Sequence, residues 1–199
     1  MVDIKYFNRW GTDGVVVTDL GLKNYLVFEP RVIPKTGAKY AGNRFHKSKI
    51  TIVERFMNKM MNPGHKGKKH TRSSGSITGK ALTSMKIMEK ALEIIENRTN
   101  ENPISVFVSA VENAAPREEI ITIEYGGARY PKAVECSPQR RIDIAIRQMT
   151  QGSFQKSFNG KMAIEAAIAE EIINAYKLSQ NSVAIAKKLE LERQADSSR

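Results

Sequence analysis

From residue 48 onward, apolar residues recur every three or four positions, and proline or glycine interrupts the pattern repeatedly. Such a chain can bury one stripe on each of several helices, but it cannot build a large sheet. Val53, Phe56, Met57 and Met60 show i, i+3, i+4, i+7 spacing, and Asn62-Pro63-Gly64 ends that run. Leu82, Met85, Met88, Leu92 and Ile95 mark a second helix, opening after Gly79-Lys80 and ending near Asn97. Pro103 suits the first turn of a third, whose stripe is Ile104, Phe107, Val108 and Val111 and which Pro116 closes. Pro138 opens a fourth, with Ile142, Ala145, Ile146 and Met149 on one face and Gly152 following. A fifth covers 161–178, and a sixth starts at Ser182, a residue suited to an N-cap. The methionines in these stripes read as core packing, not as a cofactor box.

One stretch breaks the helical period. Ile121, Ile123 and Tyr125 alternate with Thr122 and Glu124, and Tyr130, Lys132, Val134 and Cys136 alternate again beyond Gly126-Gly127. This is the pattern of a β-hairpin bent at the glycines, where positive φ costs little. Pro131 fits because both strands of a two-stranded ribbon are edges. Residues 1–45 differ again. Val15-Val16-Val17 and Tyr25-Leu26-Val27-Phe28 are short β-prone runs separated by turn-forming residues, and Pro30 and Pro34 follow.

The fold class expected is mainly α: a bundle of about six helices with a protruding two-stranded β-ribbon between helices three and four, plus an N-terminal extension. The expected divisions are a basic extension with short strands over 1–47, a helical domain over 48–193 carrying the ribbon at 119–136, and a polar tail over 194–199.

Charge points to the partner. The 199 residues hold 32 Lys or Arg against 21 Asp or Glu, a net charge of +11. Residues 31–86 contain fourteen of those bases and a single acid, Glu54, so the remainder of the chain is slightly acidic. A solubilising surface would not be so lopsided. Clustered Lys and Arg gain from counterion release on a nucleic-acid backbone. The densest part, NPGHKGKKHTRSSGSITGK over 62–80, has one large apolar residue and is expected to be a loop that orders on RNA. It contains no G-x-x-x-x-G-K-[ST] string, so a nucleotide-hydrolysing phosphate loop is not expected.

Other classes fall away. One cysteine, Cys136, allows no disulfide framework and no cysteine-based zinc site within the chain. The apolar runs are far shorter than the roughly 20 residues that span a bilayer, and the first residues lack the form of a signal peptide. No membrane association is expected, and no cofactor. His65 and His70, five apart among lysines, form a poor metal or acid–base pair, so an RNA-cleaving enzyme is disfavoured. A DNA-binding architectural protein fits the charge, but no recognition-helix signature accompanies it.

Several separate motifs then resemble one family. Pro116-Arg117-Glu118, Gly126-Gly127-Ala128-Arg129-Tyr130, Val134-Glu135 and Arg140-Arg141-Ile142-Asp143-Ile144-Ala145-Ile146-Arg147 fall in order, with the spacing of the universal small-subunit ribosomal protein family numbered seven (family five in the eukaryotic naming). Ile52-Val53-Glu54-Arg55-Phe56, the 39–47 arm KYAGNRFHK, and Asn181 to Arg193 resemble its archaeal and eukaryotic branch. Ala81 stands where many relatives carry a second lysine, and Ala133 where a proline is frequent.

The resemblance implies a non-enzymatic, cytoplasmic protein, monomeric within the ribosome, in the head of the small subunit. It would bind the 3′ major domain of small-subunit rRNA and nucleate head assembly. Exit-site tRNA and the mRNA path would lie nearby, with head and platform proteins as neighbours. With the charge pattern, it points to rRNA contacts at Arg44, Lys47, Lys49, Lys66, Lys68, Lys69, Arg72, Gly79, Lys80, Arg117, Arg140, Arg141 and Arg147. It also implies an exit-site ribbon at Gly126, Gly127, Arg129 and Tyr130.

Overall fold

A computed structural model describes residues 4–63, 65–66, 69–70 and 80–199. Among them are six α-helices. They are α1 (Ile52–Met60), α2 (Ala81–Thr99), α3 (Pro103–Ala114), α4 (Pro138–Ser157), α5 (Ile164–Tyr176) and α6 (Val183–Asp196). A 3-10 turn over His46–Lys49 precedes α1. Two-residue strands β1 (His65–Lys66) and β2 (Lys69–His70) pair antiparallel, and β3 (Glu118–Tyr125) pairs antiparallel with β4 (Ala128–Glu135) between α3 and α4. Most of the loop expected over 62–80 lies outside the described residues.

The helix starts follow local chemistry. Thr51 caps α1 by accepting from the Glu54 N–H. Asn102 caps α3 by accepting from the Ile104 N–H at 3.0 Å, and Pro103 fills the position that needs no donor. Ser182 caps α6 by accepting from the Ile185 N–H and donates to the Glu171 carboxylate at 2.7 Å. That carboxylate is fully buried, also accepts from the Ala184 N–H, and lies 3.5 Å from Lys156 Nζ. One acid on α5 thereby joins α4 to the start of α6.

Helix α5 is the hub, packed against α2, α3 and α4. Its Ile168 and Ile172 meet a core that includes Phe56 and Phe107, whose rings cross edge-to-face at 5.3 Å. The N-terminal stretch belongs to this same core. Tyr6, Trp10, Leu22 and Leu26 are buried in it, and Trp10 Nε1 donates to Glu96 on α2 at 3.0 Å.

The short strands expected at 15–17 and 25–28 do not form. Val15 and Val17 turn inward while Val16 stays exposed, yet no strand lies beside them among the described residues. Residues 19–26 instead coil through successive short-range turns, with Leu22 and Lys23 donating to Asp19 O and Leu26 to Leu22 O. One isolated bridge, Val27 to Thr51, remains of the second run.

Two helix ends also differ from expectation. Helix α4 runs through Gly152 to Ser157. Gly152 is a point of close approach, not a stop: a Cβ there would lie 2.9 Å from Val183 Cβ at the start of α6. Helix α6 continues to Asp196, because Ala195 is buried, so the polar tail is shorter than its composition suggests.

The ribbon turns where expected, with φ of 58° and 83° at Gly126 and Gly127 and Tyr125 opposite Ala128. This is the two-residue connection that matches strand twist. Its base packs on α6, and its outer half is exposed on both strands.

A part-buried ion pair locks the N-terminal stretch to the bundle. Arg141 on α4 donates to Asp19 Oδ2 at 2.7 Å and to Pro116 O at 3.0 Å. The Arg141 guanidinium holds the Asp19 carboxyl below its ordinary value, helped by the Gly21 N–H. The pair therefore stabilises the fold fully above the unfolded carboxylate value of about 4, and this is lost as pH falls through the lowered folded value.

Replacing Asp19 with Asn should cost about 2 kcal/mol at neutral pH, less than the roughly 3–5 kcal/mol of a wholly buried pair because water reaches Asp19. It should also flatten the loss of stability at acid pH; urea titrations from pH 7 to pH 3 measure both. Gly152→Ala should destabilise by about 1–3 kcal/mol through overpacking against Val183, although alanine favours a helix interior. Thermal or urea unfolding reads that effect.

Candidate nucleic-acid interface

Helix α1 packs on α4, and the two present cations to one groove. Arg55 and Lys59 are one turn apart on α1; Asp143 and Arg147 are one turn apart on α4. The 3-10 turn adds His46 and Lys47. These residues, with Ile50, Asn58 and Ile146, line a cavity of 290 Å³.

One acid organises the groove. Asp143 Oδ2 accepts from Lys47 Nζ at 3.0 Å, and Oδ1 accepts from Arg55 at 3.0 Å. Arg55 is buried; burial pushes its guanidinium down from the ordinary value and the Asp143 contact pulls it back. Lys59 is half-buried and Arg147 exposed, and neither makes an ion pair with the described residues. Burial and the positive charges of Arg147 and Lys47 all push the Lys59 ammonium down, against the pull of Asp143. An anion entering the groove relieves that repulsion, so the geometry suits a phosphate.

The other expected contacts divide into three groups. Arg44, Lys49 and Lys80 are exposed, and Arg44 lies 5.1 Å from the centroid of the exposed Phe45 ring. Lys80 occupies the N-cap of α2 with no side-chain cap. Arg117 is exposed while its backbone N–H donates to Glu192. Arg140, although exposed, is engaged by both Glu119 oxygens, the second at 2.6 Å.

Arg141 departs from its expected role. It is buried, and its guanidinium is spent on Asp19 and Pro116, so it holds the fold and does not face outward. Lys68, Arg72 and Gly79 lie outside the described residues. Lys66 and Lys69 are backbone partners in the β1–β2 register.

At the ribbon tip, Arg129 lies 3.7 Å from Glu124, and Tyr125 and Tyr130 are exposed. Ile121, Ile123 and Tyr130 share one exposed face with Tyr125. Cys136 at the ribbon base is buried beside Glu119, and burial with that negative charge pushes its thiol up to about 11. It stays protonated at neutral pH and supplies no nucleophile.

Sequence reasoning missed the groove's key members. Arg55 and Asp143 stand inside quoted motifs but are not picked out there as contacts, and Lys59 belongs to no motif. The signal was the two pairs spaced by four residues, but only the packing of α1 on α4 makes them one site.

Comparison with known proteins matches the chain's sequence to a family. A family model described as ribosomal protein S7p/S5e matches residues 22–199. The chain is similar to the small ribosomal subunit protein uS7 of Nanoarchaeum equitans (strain Kin4-M), with 53% identity over 196 residues that cover 98% of this chain and 99% of that protein. It is also similar to the small ribosomal subunit protein uS7 of Methanothrix thermoacetophila, with 39% identity over 196 residues, 98% of this chain and 100% of that protein. With a matched segment that spans most of its length, the chain belongs to the ribosomal protein S7p/S5e family.

Proposed function

We propose that this chain is a structural component of the small ribosomal subunit that clamps rRNA in the groove between α1 and α4. Proteins of this family are structural and not enzymes. The observation that carries the reading is the pairing deficit in the groove: one acid, Asp143, serves Lys47 and Arg55 and leaves Lys59 and Arg147 without an anion among the described residues. Phosphates are the anions an RNA supplies, and Arg147 can hold one through two N–H groups. The side chains are held by packed helices, so the array is set before RNA arrives.

The finer assignment follows the family. The RNA is the 3′ major domain of small-subunit rRNA, and binding there nucleates the subunit head, within the cytoplasmic ribosome. Arg44, Lys49, Lys80 and the basic segment before α2 extend the contact beyond the groove. The exposed ribbon tip, with Gly126, Gly127, Arg129 and Tyr130, reaches toward exit-site tRNA and the mRNA path, and neighbouring head and platform proteins complete the surroundings. The ribbon suits such a role because its outer half adds nothing to the core.

Binding to a transcript of the 3′ major domain should weaken steeply with salt. Replacing Lys59 and Arg147 together with Gln should reduce the slope of log K against log salt by about 1.4–1.8, since each phosphate contact contributes about 0.7–0.9. Filter binding at several salt concentrations measures it. An unchanged slope would show that RNA does not occupy the groove.

A further inference from the structure

Phe45 departs from ordinary behaviour in two ways. Its side chain is a large apolar ring, yet the residue is 58% exposed. Its backbone is left-handed, with φ 57° and ψ 30°, a conformation that bulky side chains seldom adopt. A single exposed apolar residue is common on a protein surface, so exposure alone assigns nothing. Backbone strain is different: it persists only where the surrounding structure holds it, and it gathers at binding sites.

The arm around Phe45 is held on both sides. The His46 N–H donates to Asn43 O at 3.2 Å, the Ser48 N–H to Phe45 O at 3.0 Å and the Ile50 N–H to Lys47 O at 3.2 Å. Lys47 donates to Asp143 Oδ2 at 3.0 Å, which pins the arm to the cationic groove. Phe45 is therefore no more than about 7 Å of chain from a groove cation. The Arg44 guanidinium lies 5.1 Å from the ring centroid and makes no ion pair among the described residues. With Arg44 in place the residue keeps its 58% exposure, so ring surface remains for a second flat group.

These features select the occupant. Residues 31–53 hold several bases and no acid. An acidic peptide would use those cations and leave the ring bare. An apolar protein face would cover the ring and bury cations without partners. A nucleotide carries a flat π-face and a phosphate together and engages both.

We propose that Phe45 is a stacking platform for one unstacked nucleobase of the bound rRNA, with Arg44 against the ring and the neighbouring phosphates in the groove of Lys59 and Arg147. The inference rests on the rRNA-binding reading above and adds a base contact where that reading has phosphate contacts alone. Single-stranded or bulged RNA presents such bases, and aromatic rings and guanidinium planes are the surfaces on which they stack.

Two variants test the platform without changing any charge. Phe45→Leu keeps an apolar side chain and removes the flat face, whereas Phe45→Trp keeps that face and enlarges it. Circular dichroism melts verify folding. Phe45→Leu should bind the 3′ major domain transcript about tenfold more weakly at fixed salt, with an unchanged salt slope. Phe45→Trp should bind as tightly as the wild type, and the transcript should quench the emission of the introduced indole. The buried Trp10 of the wild type supplies the reference signal. That quenching alone decides if Phe45→Leu fails to fold.

Wild-type affinity in Phe45→Leu would overturn the proposal, and so would unquenched indole emission at saturating transcript. Equal losses in both variants would also overturn it, since they trace the effect to the shape of the arm. A Phe45→Leu protein that binds the transcript normally yet dissociates from small subunits would set the ring against a protein instead of a base. Failure of the underlying reading looks different: wild-type binding would then lack its salt dependence, or the Lys59 and Arg147 double variant would leave the slope intact.

Discussion

The site depends on a charge imbalance that the fold itself maintains. Four cations, from the 3-10 turn, α1 and α4, converge on a groove that contains one carboxylate, Asp143. Unit charges a few ångströms apart near a protein surface interact by about 4 kcal/mol at an effective dielectric of 20, so the arrangement opposes itself unless packing holds it. The hub helix α5 and the Phe56–Phe107 contact provide that packing, by fixing α1 and α4 in the same core. Asp143 offsets part of the repulsion and positions Lys47 and Arg55. The remainder is available to a polyanion.

The same chemistry serves two purposes within a few residues. Arg140 and Arg141 are adjacent, yet one is exposed beside Glu119 and the other is buried as a tie to Asp19. The roughly 100° step between consecutive helical residues separates them. Arg141 fastens the N-terminal stretch, and Asn102 and Glu112 reinforce it by bonding Gly11 O and the Asp19 N–H. That stretch is thereby a layer of the core more than an appendage. Its attachment matters to the interface, since the chain that leaves it carries the arm from Arg44 to Lys49.

Much of this was legible in the sequence. The helical stripes, the proline starts at Pro103 and Pro138, the Ser182 cap and the Gly126-Gly127 bend depend on local chemistry, and local chemistry can be read from residue order. What failed depends on distant partners. Gly152 looks the same in sequence whether it ends a helix or admits Val183. The valines at 15–17 have strand propensity, but a strand needs a neighbour and the bundle offers none there. The basic segment was visible as charge, whereas the groove was not, because Arg55, Lys59, Asp143 and Arg147 meet only through the crossing of α1 on α4. The exposure of Phe45 was equally hidden; the sequence shows an aromatic residue among bases but not that its ring stays outside the core.

The most direct measurement is an electron cryomicroscopy map of the small subunit from the source organism, with this chain in place. The account expects rRNA phosphates within hydrogen-bond distance of Lys59 and Arg147, on the side of Asp143 away from Arg55. A map in which that groove faces open solvent or another protein, while rRNA runs along helices α3 and α5, which carry acids and no Lys or Arg, would contradict it.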